Sequence, residues 1–184
     1  MQIMQSTSWT PALTERWARI AQHDFELGQP LGFIKRLARD KSWTLPFAQA
    51  AVREYRRFCF LAITSPNPVT PSEEIDEVWH MHLTYSRDYW NVWCRDVLQV
   101  PLHHDPTRGS LADQGMFRAQ YAATLALYET YFGPPDALFW RATHERFRGT
   151  PRCRTIDVER WLLVPKPSRF FRWRPRFLTN SKKE

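Results

Sequence analysis

Apolar side chains recur at three- and four-residue steps through most of this chain, and prolines and glycines divide the recurrence into segments. Thr10-Pro11 opens the first helical pattern with a capping hydroxyl and a proline in the first turn, and Leu13, Trp17, Ile20 and Ala21 carry it to about Phe25. A shorter pattern from Leu31 to Asp40 places Phe33, Ile34 and Leu37 on one side. Pro46 starts a third, with Phe47, Ala51, Tyr55, Phe58 and Ala62 along one face, and Ser65-Pro66-Asn67-Pro68 ends it. A fifth spans Leu111 to Phe132 and stops at Gly133-Pro134-Pro135, after which Asp136 is placed to cap a short turn through Trp140.

The fourth pattern has the strongest local signal. Thr70 as N-cap, Pro71 at N1 and Glu73 at N3 spell a capping box, and the acids of the first turn complement the helix dipole. Neither proline nor glycine intervenes before Leu98, so the spacing predicts one unbroken helix. At 100° per residue Ile75, Trp79, Leu83, Ser86, Trp90, Trp93 and Val97 share its inner face. The expected fold is therefore all-α: a single irregular helical bundle over residues 1–150, with an irregular, basic C-terminal segment over 151–184 packed on it or extending from it. Within that last segment Ile156 to Val164 reads as either a strand or a short helix.

Composition sharpens this picture in three places. Nine Trp, twelve Phe and six Tyr supply an aromatic core. Cys59, Cys94 and Cys153 are too few and too far apart for a disulfide framework or a metal knuckle. No apolar run is long enough to span a bilayer and the first residues lack an export signal, so a cytoplasmic location is expected. The net charge of +7 is unevenly distributed: residues 1–140 hold 13 Lys/Arg against 15 Asp/Glu, whereas 141–184 hold 13 against 4. A basic tail on a near-neutral body argues against a whole-domain nucleic-acid binder.

Four of the six histidines fall in two clusters, His80/His82 and His103/His104. Asp76 and His80, four apart, share a helix face at the edge of the apolar stripe, supported by the core yet reachable from solvent. His82 points towards Ile75, Tyr89 and Trp93, so one helix cannot aim both histidines at one ion. A metal centre here would draw Asp76 and His80 from the helix and His104 from the following loop. Two imidazoles and a carboxylate suit zinc or non-haem iron. His82, His103 and Cys94 are outer-sphere or alternative ligands, and Glu73 or Glu77 would move protons. His23, far from both clusters, is expected to play no part. The bland reading stays open beside this one: an Asp–His pair can simply be a helix-surface interaction, Glu77 a solvated acid and His82 a satisfied core histidine. Cys94 with His104 forms a weaker nucleophile–base pair, since a buried cysteine usually packs as a small hydrophobe. No glycine-rich phosphate loop is present, and no nucleotide cofactor is expected.

In the tail, Arg169, Arg172, Trp173, Arg174 and Arg176 interleave with Phe170, Phe171 and Phe177. These rings either pack across the body while the arginines reach water, or dock an acidic protein partner; nucleic acid and a membrane surface are weaker alternatives.

Tyr55-Arg56-Arg57-Phe58, Pro71-Ser72, Asp76-Glu77-Val78-Trp79-His80-Met81-His82-Leu83, Tyr89-Trp90, Cys94, His104-Asp105-Pro106, Tyr121, Thr124-Leu125-Ala126-Leu127-Tyr128, Phe132-Gly133 and Trp140 together resemble the glycine-rich domain-containing protein-like family, named after longer plant proteins. The resemblance covers about residues 45–140. It implies a helical domain and marks Asp76, Trp79, His80, His82 and His104 as motif positions without assigning them tasks. The glycine-rich extension of the plant members is missing here. Two function classes therefore follow from the sequence: a small metal-dependent enzyme, oxidative or hydrolytic, and a non-catalytic interaction module with a structural histidine–acid cluster and a docking tail.

Overall fold

The computed structural model describes residues 9–26, 28, 31–105 and 111–148, the first four residues of the last range by their backbone only. Cys153, the segment from Ile156 to Val164, and Arg169, Arg172, Trp173, Arg174 and Arg176 lie outside the described residues. Those described form an all-helical, irregular bundle: α1 (Pro11–Gln22), α2 (Phe33–Lys41), α3 (Leu45–Thr64), α4 (Glu73–Thr84), α5 (Ser86–Asp88) running into a π-wound stretch (Tyr89–Leu98), α6 (Leu111–Phe132) and α7 (Thr143–Arg146). Among the described residues no helix is long and apolar enough to cross a membrane.

Helix α3 is the axis of the bundle. Ala48, Ala51, Val52, Tyr55, Phe58, Cys59, Phe60 and Leu61 are all buried, so most of its surface must be enclosed, while Gln49 and Arg53 stay exposed. α1, α2, α4, α6 and the π stretch enclose it. Thr44 accepts a hydrogen bond from the Phe47 amide at its N-terminus, and Pro46 sits in the first turn, where no amide partner is needed. Thr10 caps α1 in the same way. α2 starts after Gly32, where a Cβ would lie 1.4 Å from Glu26 Oε2. The glycine lets Glu26 approach and accept from the Ile34 amide at 3.2 Å.

Two features of the fourth segment differ from the sequence reading. The N-cap is Ser72, whose hydroxyl accepts from the Ile75 amide, so Glu73 is the first helical residue and no capping box closes. Thr70 is instead buried against α6: its amide donates to Thr124 Oγ1 at 3.0 Å and its hydroxyl to Gln120 Oε1 at 3.2 Å. The second difference is a break at Tyr85, whose ψ of 52° leaves the helical region. Its ring packs against Phe33 of α2 and lies beneath the Arg36 guanidinium. This tertiary contact outweighs the local preference for a continuous helix. Beyond the break the inner positions become Tyr89, Trp93, Cys94 and Leu98, the spacing of a wider winding, while Ser86 is exposed and Trp90 is 40 % exposed.

Candidate metal centre

The first turns of α4 and the loop after the π stretch meet at the predicted place. Asp76 and His80 stand one turn apart on α4, and the loop returns His104 over them. His104 Nε2 lies 2.9 Å from Asp76 Oδ1, and His80 Nδ1 lies 3.9 Å from Asp76 Oδ2, so each carboxylate oxygen faces one imidazole. The two imidazoles stack at 4.6 Å, and His104 rests on the Trp79 indole at 4.3 Å. One nitrogen or oxygen from each residue falls within 4.8 Å of the other two. Ligands about 2.1 Å from one ion stand ~3.0–3.5 Å apart at angles near 90–110°, so a small closing motion of His80 completes the set. His80 can make it, with its side chain 51 % exposed; Asp76 and His104 are 32 % and 18 % exposed.

A hydrogen-bond chain fixes the loop. Trp79 Nε1 donates to the Tyr89 hydroxyl at 2.8 Å, and that hydroxyl donates to the Leu102 carbonyl, two residues before His104. Trp79 thus forms the floor of the site and holds its own wall. The hydrogen bond to Asp76 lifts the His104 imidazole above its ordinary value, partly offset by burial. A metal must therefore compete with a well-held proton at that nitrogen.

The remaining sequence candidates sit elsewhere. Glu73 receives Arg141 at 2.8 Å and Arg146 at 3.1 Å, which ties the start of α4 to α7 and the turn before it. Glu77 pairs with Lys41 of α2 rather than standing free in solvent. His103 is exposed and packs on Trp90 at 5.4 Å. Cys94 is buried, and burial pushes its thiol up, which keeps it protonated and poorly nucleophilic.

His82 belongs to a second constellation in the core. Its Nε2 lies 2.9 Å from Asp88 Oδ2, and its Nδ1 hydrogen-bonds the Tyr55 hydroxyl at 3.0 Å. His23, from the segment after α1, points Nε2 at the same Asp88 oxygen from 3.5 Å. On a continuous helix residues 82 and 88 would face different ways, since six residues advance 600°. The break at Tyr85 is what returns Asp88 to His82. Burial pushes the His82 imidazole down against the pull of Asp88. Burial alone would raise the Asp88 carboxyl, but the two imidazoles hold it well below the usual carboxylate range.

Sequence reasoning missed His23, Asp88 and Tyr55 as members of this group and set His23 aside altogether. One signal was present: a histidine expected deep in an aromatic core needs a polar partner, and Asp88 is the first acid after it. Glu54 was missed too. Buried on α3, it accepts from Arg57, Tyr128 and Trp140 at 2.7–2.9 Å.

Set against known proteins, the chain matches no family model, no curated protein and no solved structure.

Proposed function

We propose that Asp76, His80 and His104 bind one divalent cation, zinc or ferrous iron, and that the protein is a small metal-dependent enzyme of the hydrolytic or oxidative class. The observation that carries this reading is the convergence of two imidazoles and a carboxylate, from two separate chain segments, at an edge open to solvent. Three protein ligands leave positions for water and substrate. A bound ion there would lower the pKa of its water or hold oxygen chemistry at ordinary pH. Around it the chain supplies Trp79 as an apolar floor and the Tyr89–Leu102 link as the brace of the loop that carries His104. Glu73 and Glu77, each engaged with basic side chains, act through orientation of α4 more readily than as free bases.

Metal titration of wild type against His80→Ala and Asp76→Asn tests this. Each variant should lose the solvent-facing equivalent while keeping its helical content. Unchanged stoichiometry in both would remove the ligand set.

One observation favours the second class, a non-catalytic interaction module. Asp76 and His104 already close a hydrogen bond with each other, enough to fix the loop to α4 without an ion. Under that reading His104→Ala lowers thermal stability and leaves metal content unchanged, and an acidic protein partner engages the arginine–aromatic tail.

A further inference from the structure

We infer that the buried trio His23, His82 and Asp88 is a second, independent metal site, one that holds an ion for the fold rather than for substrate.

Geometry comes first. Both Nε2 atoms converge on Asp88 Oδ2, at 2.9 Å for His82 and 3.5 Å for His23. These are the separations of neighbouring ligands around a small cation with bonds of about 2.0–2.1 Å. All three ligand atoms fall within 4.8 Å of one another. The side chains are 6 %, 0 % and 8 % exposed, and aromatic rings of Phe25, Tyr89 and Trp93 wall the site.

Second, His23 Nε2 is shielded from water, aimed into the cluster, and closes no hydrogen bond. A buried ring nitrogen that reaches its carboxylate only at 3.5 Å and makes no hydrogen bond is poorly satisfied, and an ion between the three residues would satisfy it. The charge balance points the same way. Asp88 is buried, yet its partners among the described residues are the two imidazoles, with no lysine or arginine paired to it. An enclosed carboxylate whose partners are imidazoles rather than a fixed positive charge leaves room for a cation.

Third, the outer contact is of the right kind. The Tyr55 hydroxyl occupies Nδ1 of His82, which orients the ring and leaves Nε2 for an ion, as ligating histidines are usually held. Zinc and ferrous iron fit two imidazoles and one carboxylate, with a water completing the shell. Such an ion would tie the segment after α1 to α4 and to α5. Its enclosure separates it from the solvent-facing centre, and neither site depends on the other.

The two sites can be counted apart. Chelator-stripped protein is reloaded with excess Zn(II) or Co(II), dialysed, and its metal measured by mass spectrometry. Wild type should hold one equivalent beyond any lost on replacing the outer ligands. The His80→Ala/His104→Ala variant should therefore retain one equivalent, show the visible bands of a low-coordinate Co(II) centre, and melt at higher temperature with Zn(II) than without. Adding His23→Ala should abolish that equivalent, and Asp88→Asn should weaken it at least tenfold. A folded His80→Ala/His104→Ala protein that takes up no metal overturns the proposal. So does an equivalent that survives both His23→Ala and Asp88→Asn. If the double variant does not fold, His23→Ala in the otherwise unchanged chain decides: its metal content must drop by one equivalent, and an unchanged content overturns the proposal.

Discussion

Asp76 and His80 meet because they are four apart on a helix, and that much the spacing alone dictates. His104 required a tertiary event, the return of the loop across Trp79, yet the adjacent His103-His104-Asp105-Pro106 turn made it a natural third member. What the sequence could not show is the brace. Tyr89 reads as one more core aromatic, but its hydroxyl bridges the Trp79 indole and the Leu102 carbonyl. Tyr89→Phe should leave both groups without their partner in a buried place, costing about 1–3 kcal/mol in urea denaturation. It should also weaken metal binding at the outer centre, of the order of 10-fold, by loosening His104. An unchanged affinity would show that the loop does not depend on that link. Glu54 was illegible for a related reason. A single acid in an apolar helix looks like a surface residue until Arg57, Tyr128 and Trp140, the last two from more than 70 positions away, are seen to converge on it.

At the scale of elements, the starts of α1 and α3 follow from their capping threonines and prolines, and the end of α6 from Gly133-Pro134-Pro135, signals written within a few residues. The break at Tyr85 is not written locally. It reflects the packing of Tyr85 on α2 and the pull of Asp88 towards His82, neither visible to a periodicity that runs on without proline or glycine. The break has a consequence for pH in metal-free protein. Burial lowers His82, so below about pH 6.5 the unfolded chain takes up a proton that the folded one resists. Asp88 is held below its ordinary value, so its contribution is present above about pH 4 and is lost as pH falls further. Both make stability rise with pH over the acid range. His104 has the opposite sign: raised in the folded state, its contribution is full below about pH 6.5 and fades as pH climbs through the folded value. Being partly exposed, that pair counts for less. Urea midpoints measured with chelator present should therefore fall steadily from pH 6.5 to 4 and more steeply below. Asp88→Asn should remove the steeper portion; an identical profile in that variant would contradict the role given to Asp88.

Across the molecule, the all-helical architecture was legible because the aromatic and aliphatic residues repeat at helical spacing in nearly every segment. The arrangement was not, since it depends on which helix buries the most side chains. α3 has that property and sits at the centre, carrying Tyr55 to the inner cluster and Glu54 to the contact with α6 and Trp140. Removing the Glu54 carboxylate strands two buried donors, the Tyr128 hydroxyl and the Trp140 indole, while Arg57 keeps the Tyr128 oxygen and solvent. Glu54→Ala should cost about 3–5 kcal/mol, read as a lowered urea midpoint, without changing metal content at either cluster. A loss of metal in that variant would mean that the bundle core and the outer centre are coupled, which the present geometry does not call for.

The central claim is that Asp76, His80 and His104 hold an ion. Elemental analysis of untagged protein, purified without added metal, tests it most directly when wild type and His80→Ala are measured side by side. Zinc or iron should be present in wild type and reduced by one equivalent in His80→Ala. A folded wild type that contains no metal and takes up none when it is supplied would contradict the claim and leave the centre as a hydrogen-bonded clasp between α4 and its neighbouring loop.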